Sequence, residues 1–365
     1  MNHWPDTGVS AALRQKYATD LALDRDGEWL QAFADVPRHI FVPTFYTQST
    51  DMSWQPVTWG DGGYLEAVYR DAALTTQLDE RGVPTSSSSQ PSLMLTMLEA
   101  LDVRDGHRVF ELGTGTGYNA ALLSHRLGEG HVTSVDVDPG LVAAAISRLR
   151  QAGHRPTLAA GDGALGYARR APYDRLIATA GLQAVPAALL EQAADDAVMV
   201  APLGYGIIRA QVTGPGHATG RFLPTPAHFM ALRTSPAPPD LDAVRHERPG
   251  STSVAPQGVL ERLKFPLSIA LPGYTSCSWK DDRGEVTAVG LWTADGSVAT
   301  VDSTGTVRQS GPRRLWDSVE KLAATFTEDI EIAHDDFRVA ITPTRQTVTY
   351  REPGGPSWHL PSASR

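Results

Sequence analysis

The chain has 365 residues, of which 41% are hydrophobic and 20% charged, with a formal net charge of −9. Such a composition fits one large globular domain or two to three smaller ones, and argues against a generic nucleic-acid binder. Cys277 is the single cysteine, so a disulfide framework and a cysteine-ligated metal cluster are excluded, and no apolar run reaches the length of a membrane span.

The first residues lack a basic segment followed by an apolar core, which points away from a signal peptide and toward the cytoplasm. Residues 9–34 carry helical periodicity through Leu13, Tyr17, Leu21, Trp29, Leu30 and Phe33. Pro37 and Pro43 frame a stretch expected to be a turn and a short extended piece. Residues 54–64, rich in Trp and Gly, read as irregular. The run Ser86-Ser87-Ser88-Ser89 comes before Gln90-Pro91, and an apolar-periodic helix is expected from about Ser92. A serine in that position is often only a helix cap.

From residue 108 to about 203, short apolar runs alternate with helical patterns. Strands are expected at 109–112, 132–135, 157–160, 174–178 and 197–201, and helices at 118–127, 139–152, 163–170 and 186–194. Alternation of this kind predicts an α/β fold with a mostly parallel sheet covered by helices. Glu111-Leu112-Gly113-Thr114-Gly115-Thr116-Gly117-Tyr118 joins the first strand to its helix. Glycines there let the backbone turn sharply and approach a ligand. The helix start offers free N–H groups to a carboxylate. Asp136 closes the next strand, where an acid accepts from both ribose hydroxyls. The spacing G-x-G-x-G is tighter than a dinucleotide fingerprint and points to S-adenosylmethionine. Asp162, followed by Gly163, lies at a further strand end, where ligands of such sheets bind.

Residues 234–258, rich in Pro, Ser, Asp and Arg, read as a linker. Beyond 259, strands are expected at 276–280, 286–293, 298–301, 337–341 and 347–350, and a helix at 315–326. Ala294-Asp295-Gly296 marks a hairpin. The domain expectation is therefore an N-terminal helical and irregular segment over 1–85, a methyltransferase domain over 86–233, the linker, and a small α+β module over 259–365.

The stretch from Val36 to Gly204 resembles the protein-L-isoaspartate O-methyltransferase family. Val36-Pro37-Arg38-His39-Ile40-Phe41-Val42-Pro43, Ser87-Ser88-Ser89-Gln90-Pro91, the glycine loop, Gly161-Asp162-Gly163, Ala171-Pro172-Tyr173-Asp174 and Ala178-Thr179-Ala180 match its motifs in order. The resemblance implies a Rossmann-like S-adenosylmethionine methyltransferase sheet. It implies Ser89 as the residue against the substrate carboxylate, with Ser87, Ser88 and Thr179 lining the substrate side. For the cofactor it implies Glu111, Gly113, Thr114, Gly115, Gly117, Tyr118, Asp136, Val137, Asp162 and Gly163. No histidines pair at metal-ligand spacing, and no metal is expected.

The module after Gly204 and the tryptophan-bearing segment between Pro43 and Thr85 look like the branch of the family that tailors ribosomally made lanthipeptides and graspetides. In that branch an aspartate of a cyclised peptide becomes aspartimide or isoaspartate. Arg313 and Arg314 are then candidates to hold the peptide, while Trp279, Trp292, Trp316 and Trp358 serve either the module's core or that peptide. A general isoaspartyl repair enzyme and a non-catalytic binding subunit are the other readings. The expected partner is a peptide or protein carrying an aspartyl or isoaspartyl residue, with neither nucleic acid nor membrane involved.

Overall fold

A computed structural model describes residues 5–22, 27–50, 52–231, 241–352 and 354–361; the prolines 236, 238 and 239 of the expected linker lie outside them. The chain divides into two compact units. One holds residues 1–180, 186–201 and 209–218; the other holds 181–185, 202–208 and 219–365.

In the first unit, α1 (Gly8–Leu21) opens with a capping box between Thr7 and Ser10. Helix α2 (Glu28–Asp35) buries Trp29, Ala32 and Phe33. The stretch expected to be a turn and a short extended piece holds a single helical turn, α3 (Arg38–Phe41), with all four side chains buried. Pro37 supplies its entry at φ −77°, and Val42, which precedes Pro43, leaves the helical region and ends it.

The segment expected to be irregular also has order. Strands β1 (Thr44–Gln48) and β2 (Trp54–Thr58), the short helix α4 (Tyr64–Val68), and strands β3 (Leu74–Leu78) and β4 (Pro84–Ser88) build an antiparallel sheet in the order β2-β1-β3-β4. Pro56 sits in β2, an edge strand, where a missing N–H is tolerated. Val42, Phe45, Tyr64, Val68 and Leu74 form its apolar core.

Helix α5 (Pro91–Leu101) then leads into the parallel sheet. Its strands are β5 (Val109–Leu112), β6 (Val132–Asp136), β7 (Thr157–Ala160), β8 (Tyr173–Ala178) and β9 (Ala193–Leu203), in the order β7-β6-β5-β8-β9. Helices α6 (Tyr118–Leu127), α7 (Pro139–Gln151) and α8 (Ala187–Glu191) connect them. All four residues of β5 are buried between β6 and β8. The fold is thus α/β, with a Rossmann-like sheet. The helix expected over 163–170 is reduced to two 3-10 turns, Gly163–Leu165 and Ala168–Arg170. Gly166 breaks them at φ 67°. Residues 206–222, for which no element was expected, form β10 (Gly206–Gly214) and β11 (His217–Phe222).

The second unit carries a five-stranded antiparallel sheet: β12 (Gly250–Ser251), β13 (Thr275–Lys280), β14 (Val286–Trp292), β15 (Val298–Asp302) and β16 (Thr306–Ser310), in the order β12-β16-β15-β14-β13. The expected hairpin turn at 294–296 joins β14 to β15, with Gly296 at φ 83°. Helices α9 (Pro256–Glu261), α10 (Lys264–Ala270) and α11 (Leu315–Thr325) accompany it. Strands β17 (Phe337–Ile341), β18 (Gln346–Tyr350) and β19 (Ser357–His359) pair antiparallel. Among the described residues no helix is long and apolar enough to cross a membrane.

Trp316 is 1% exposed and Val319 and Leu322 of the same helix are buried with it. Trp316→Ala is expected to cost the second unit about 3–5 kcal/mol, read as a lower denaturation midpoint for that unit. An unchanged midpoint would remove the tryptophan from the core.

Candidate active site

Strand β5 ends at Leu112, and the chain turns over its carboxyl end. The Gly113 N–H donates to Val135 O at 2.8 Å, tying the loop to β6. Gly113 has φ 96°, and a Cβ added there would lie 2.7 Å from Thr179 Oγ1. Gly117, at φ 87°, would bring a Cβ within 3.0 Å of Ala145 Cβ on α7. Both positions therefore require glycine, one for the loop's seat and one for the approach of two helices.

Below the loop lies a buried polar chain. The Thr114 hydroxyl is 2.6 Å from Ser134 Oγ, which donates to Glu111 Oε2 at 2.5 Å. Asn119 Nδ2 donates to Glu111 Oε1 at 2.7 Å. Glu111 is fully buried, and burial pushes its carboxyl up to about 7, against the pull of the Ser134 and Asn119 hydrogen bonds. Both carboxylate oxygens thus act inside the protein, where they fix the loop from beneath.

Asp136 stands at the end of β6. Its Oδ2 accepts from the Gly115 N–H at 2.9 Å and its Oδ1 from the Asp138 N–H at 3.0 Å. Asp162 Oδ1 accepts from the Ala164 N–H at 2.9 Å and caps the turn Gly163–Leu165. Gly163 is buried against Leu112. Beside these acids, Val137 and Leu165 are 54% and 60% exposed, although each follows closely on a strand end.

The serine run borders this loop. A Cβ on Gly115 would lie 3.8 Å from Ser86 Oγ and Ser87 O. Ser86 and Ser88 are buried, and Ser87 and Ser89 half-buried. Ser88 Oγ accepts from Arg38. Helix α5 starts at Pro91 with Gln90 as its N-cap, so Ser89 does not cap it. The Ser89 hydroxyl has no hydrogen-bond partner among the described residues.

Four of the expected residues have partners within the protein. The Thr179 hydroxyl, expected toward substrate, donates to Gly113 O at 2.6 Å and so clamps the glycine loop. The Tyr118 side chain packs against Phe33 and Phe41 in the helical core, and only its backbone stands at the helix start. Arg313 Nε donates to Asp295 Oδ2 at 2.6 Å, and Arg314 lies 3.7 Å from Asp317. Both arginines belong to the second unit, as do the tryptophans of the former module. Trp316 is core, Trp292 and Trp358 are half-buried, and Trp279 is 42% exposed. No group of metal-ligating side chains occurs among the described residues. Arg38, Asn119 and Ser134 were not anticipated as site residues, although Arg38 stands inside a motif quoted above.

The Glu111 proton is held more tightly in the folded chain than in the unfolded one. Its stabilising contribution is complete below the ordinary carboxylate value and is lost as pH rises to about 7. Relative to Glu111→Gln, the wild-type melting temperature is expected to fall between about pH 5 and about pH 8. Parallel pH profiles for the two proteins would contradict this.

Residues 57–213 match the family model described as "Protein-L-isoaspartate(D-aspartate) O-methyltransferase (PCMT)". The chain is 38% identical over 206 residues to a protein-L-isoaspartate O-methyltransferase of Ignicoccus hospitalis, spanning 54% of this chain and 85% of that one. It is also 38% identical over 181 residues to the protein of that name from Xanthobacter autotrophicus, covering 49% of this chain and 71% of the relative. A solved protein-L-isoaspartate O-methyltransferase superposes with a TM-score of 0.53 and 22% identity, over 90% of this chain and 96% of its own. The motif order, the glycine cradle and these likenesses place the chain in the protein-L-isoaspartate O-methyltransferase family, whose cofactor is S-adenosylmethionine.

Proposed function

We propose that this chain methylates the free carboxylate of isoaspartyl residues in proteins and peptides, with Ser89 against that carboxylate. The observation that carries the reading is the position of the serine strand. It borders the glycine loop so closely that a Cβ on Gly115 would lie 3.8 Å from Ser86 Oγ, and Ser89, the residue after it, carries a hydroxyl with no partner among the described residues. When bound, S-adenosylmethionine supplies a sulfonium methyl that a carboxylate oxygen takes by in-line displacement, leaving a methyl ester.

The residues that would hold the cofactor are Gly113, Gly115 and Gly117 in the turn, Asp136 for the ribose, and Asp162, Gly163 and Val137 around the adenine. Glu111, Thr114 and Thr179 keep the turn in shape through the bonds described above. A carboxylate is already ionised near pH 7, so the chain needs no strong base. Its task is alignment and exclusion of water. The Ser89 hydroxyl suits this: it donates one hydrogen bond, orienting the oxygen without neutralising it. The ester then turns a poor leaving group into methoxide. The following backbone nitrogen can close a five-membered imide, and water opens that ring to aspartate or isoaspartate.

A narrower substrate, one aspartate in a cyclised ribosomal peptide, would rest on the C-terminal unit being special to a tailoring branch. The likeness in fold to a solved protein-L-isoaspartate O-methyltransferase over 90% of the chain takes away that support. General repair is therefore the reading favoured here.

The deciding experiment incubates the protein with S-adenosylmethionine, an isoaspartyl peptide and its aspartyl twin, and follows mass. A methyl ester on the isoaspartyl peptide alone is expected. Modification of neither, with the cofactor bound, would overturn the repair reading in favour of a dedicated substrate. Ser89→Ala is expected to lower kcat by about 10–100-fold with unchanged cofactor affinity, measured by single-turnover kinetics and calorimetry.

A further inference from the structure

Arg38 is 0% exposed, and among the described residues no carboxylate comes within ion-pair distance of it. Its guanidinium is satisfied by neutral oxygens alone. Nη1 donates to Val68 O at 2.8 Å and Arg70 O at 3.1 Å. Nη2 donates to Ala72 O at 3.0 Å, Ser88 O at 3.3 Å and Ser89 O at 3.1 Å. Nε donates to Ser88 Oγ at 3.2 Å. A buried full charge is costly unless it is paired.

The geometry of those bonds says where the charge acts. Carbonyl and N–H point in opposite directions across a trans peptide. With Ser88 O and Ser89 O turned to Arg38, the N–H groups of Ser89 and Gln90 turn away from it. Neither N–H has an acceptor among the described residues. Together with the Ser89 hydroxyl they give three donors on one short turn, backed by a cation. Successive backbone N–H groups of this kind form anion-binding concavities. Asp71 anchors the far side of the turn, accepting from Gln90 Nε2 at 2.9 Å and the Ser92 N–H at 2.8 Å.

We infer that Arg38 is a positioning residue whose buried charge, relayed through the Ser88 and Ser89 carbonyls, makes the Ser89–Gln90 turn a seat for the substrate carboxylate. The missing counter-charge of Arg38 is then the substrate itself. This rests on the assignment of Ser89 to the substrate made above. Asp71 opposes the effect. Burial disfavours its charge, but hydrogen bonds from Ser92 and Gln90 and the positive charge of Arg38 hold its carboxyl below the usual range.

The test compares binding of an isoaspartyl peptide with its twin carrying a carboxamide in place of the free carboxylate, both in the presence of S-adenosylhomocysteine. Wild type is expected to prefer the carboxylate by about tenfold or more. Arg38→Met should bring the ratio close to one, whereas Arg38→Lys, which keeps the charge but breaks the fork of hydrogen bonds, should keep most of it. Asp71→Asn should raise the preference by about two- to threefold. Structural damage cannot produce that gain, so the Asp71 and Lys variants decide the matter if Arg38→Met fails to fold. Equal losses in the Met and Lys variants, or a weaker preference in Asp71→Asn, would overturn the inference. A preference surviving in folded Arg38→Met would overturn it too, while leaving the assignment of Ser89 standing. Absence of any preference in wild type would instead bring down the assignment of Ser89 and the inference built on it.

Discussion

The site depends on one constraint: the turn from β5 into α6 is held in a shape that its own backbone cannot maintain. Three glycines at positive φ make that shape possible, and side chains from three other places fix it. Thr179 bonds the Gly113 carbonyl from the end of β8, Asp136 takes the Gly115 N–H from the end of β6, and Glu111 works from below through Ser134 and Thr114. These groups converge because β5 lies between β6 and β8 in parallel register, so that all three strands end at the same edge. Ligand sites of parallel sheets form beyond that edge for this reason. In the polar chain under the loop both Glu111 oxygens and the Ser134 and Thr114 hydroxyls are buried and bonded, which favours one shape for the turn, while Asn119 Oδ1 is buried without a partner among the described residues.

The parallel sheet was legible in the sequence because its strands are short, apolar and separated by helical patterns of regular length. Its five strands fall close to where periodicity puts them. The N-terminal sheet was not legible. Its strands are five residues each, carry few fully buried side chains, and include a proline tolerated only because β2 is an edge. The turn at Arg38–Phe41 escaped for a related reason: a four-residue helix has no period to read.

Among the candidate site residues, the placement of Asp136 and the glycines at strand ends and in the turn was readable because it follows from local turn geometry. Arg38 was not, since its partners are 30 to 51 positions away in the chain. Thr179 stands at the expected strand end, and its bond to the glycine loop was not legible in the sequence. A hydroxyl there can face outward or back onto the loop, and only the close approach of Gly113 decides which. Arg313 and Arg314 looked available in a string of letters, yet each has an aspartate nearby in space.

The closeness of the serine strand to the glycine loop bears on the order of release. At Gly115 the two segments are separated by no more than ordinary van der Waals contact with a missing Cβ. Gln77 of β3 also reaches Asp138 beyond β6, at 3.2 Å. A ligand that stiffens one segment therefore leaves less freedom for the other to lose. Thermodynamic linkage makes such an effect mutual: whatever factor the nucleoside side adds to peptide affinity, the peptide adds to the nucleoside side. On the proposed assignment, the spent cofactor and the esterified chain would hold each other in place, and turnover would be governed by how the pair comes apart.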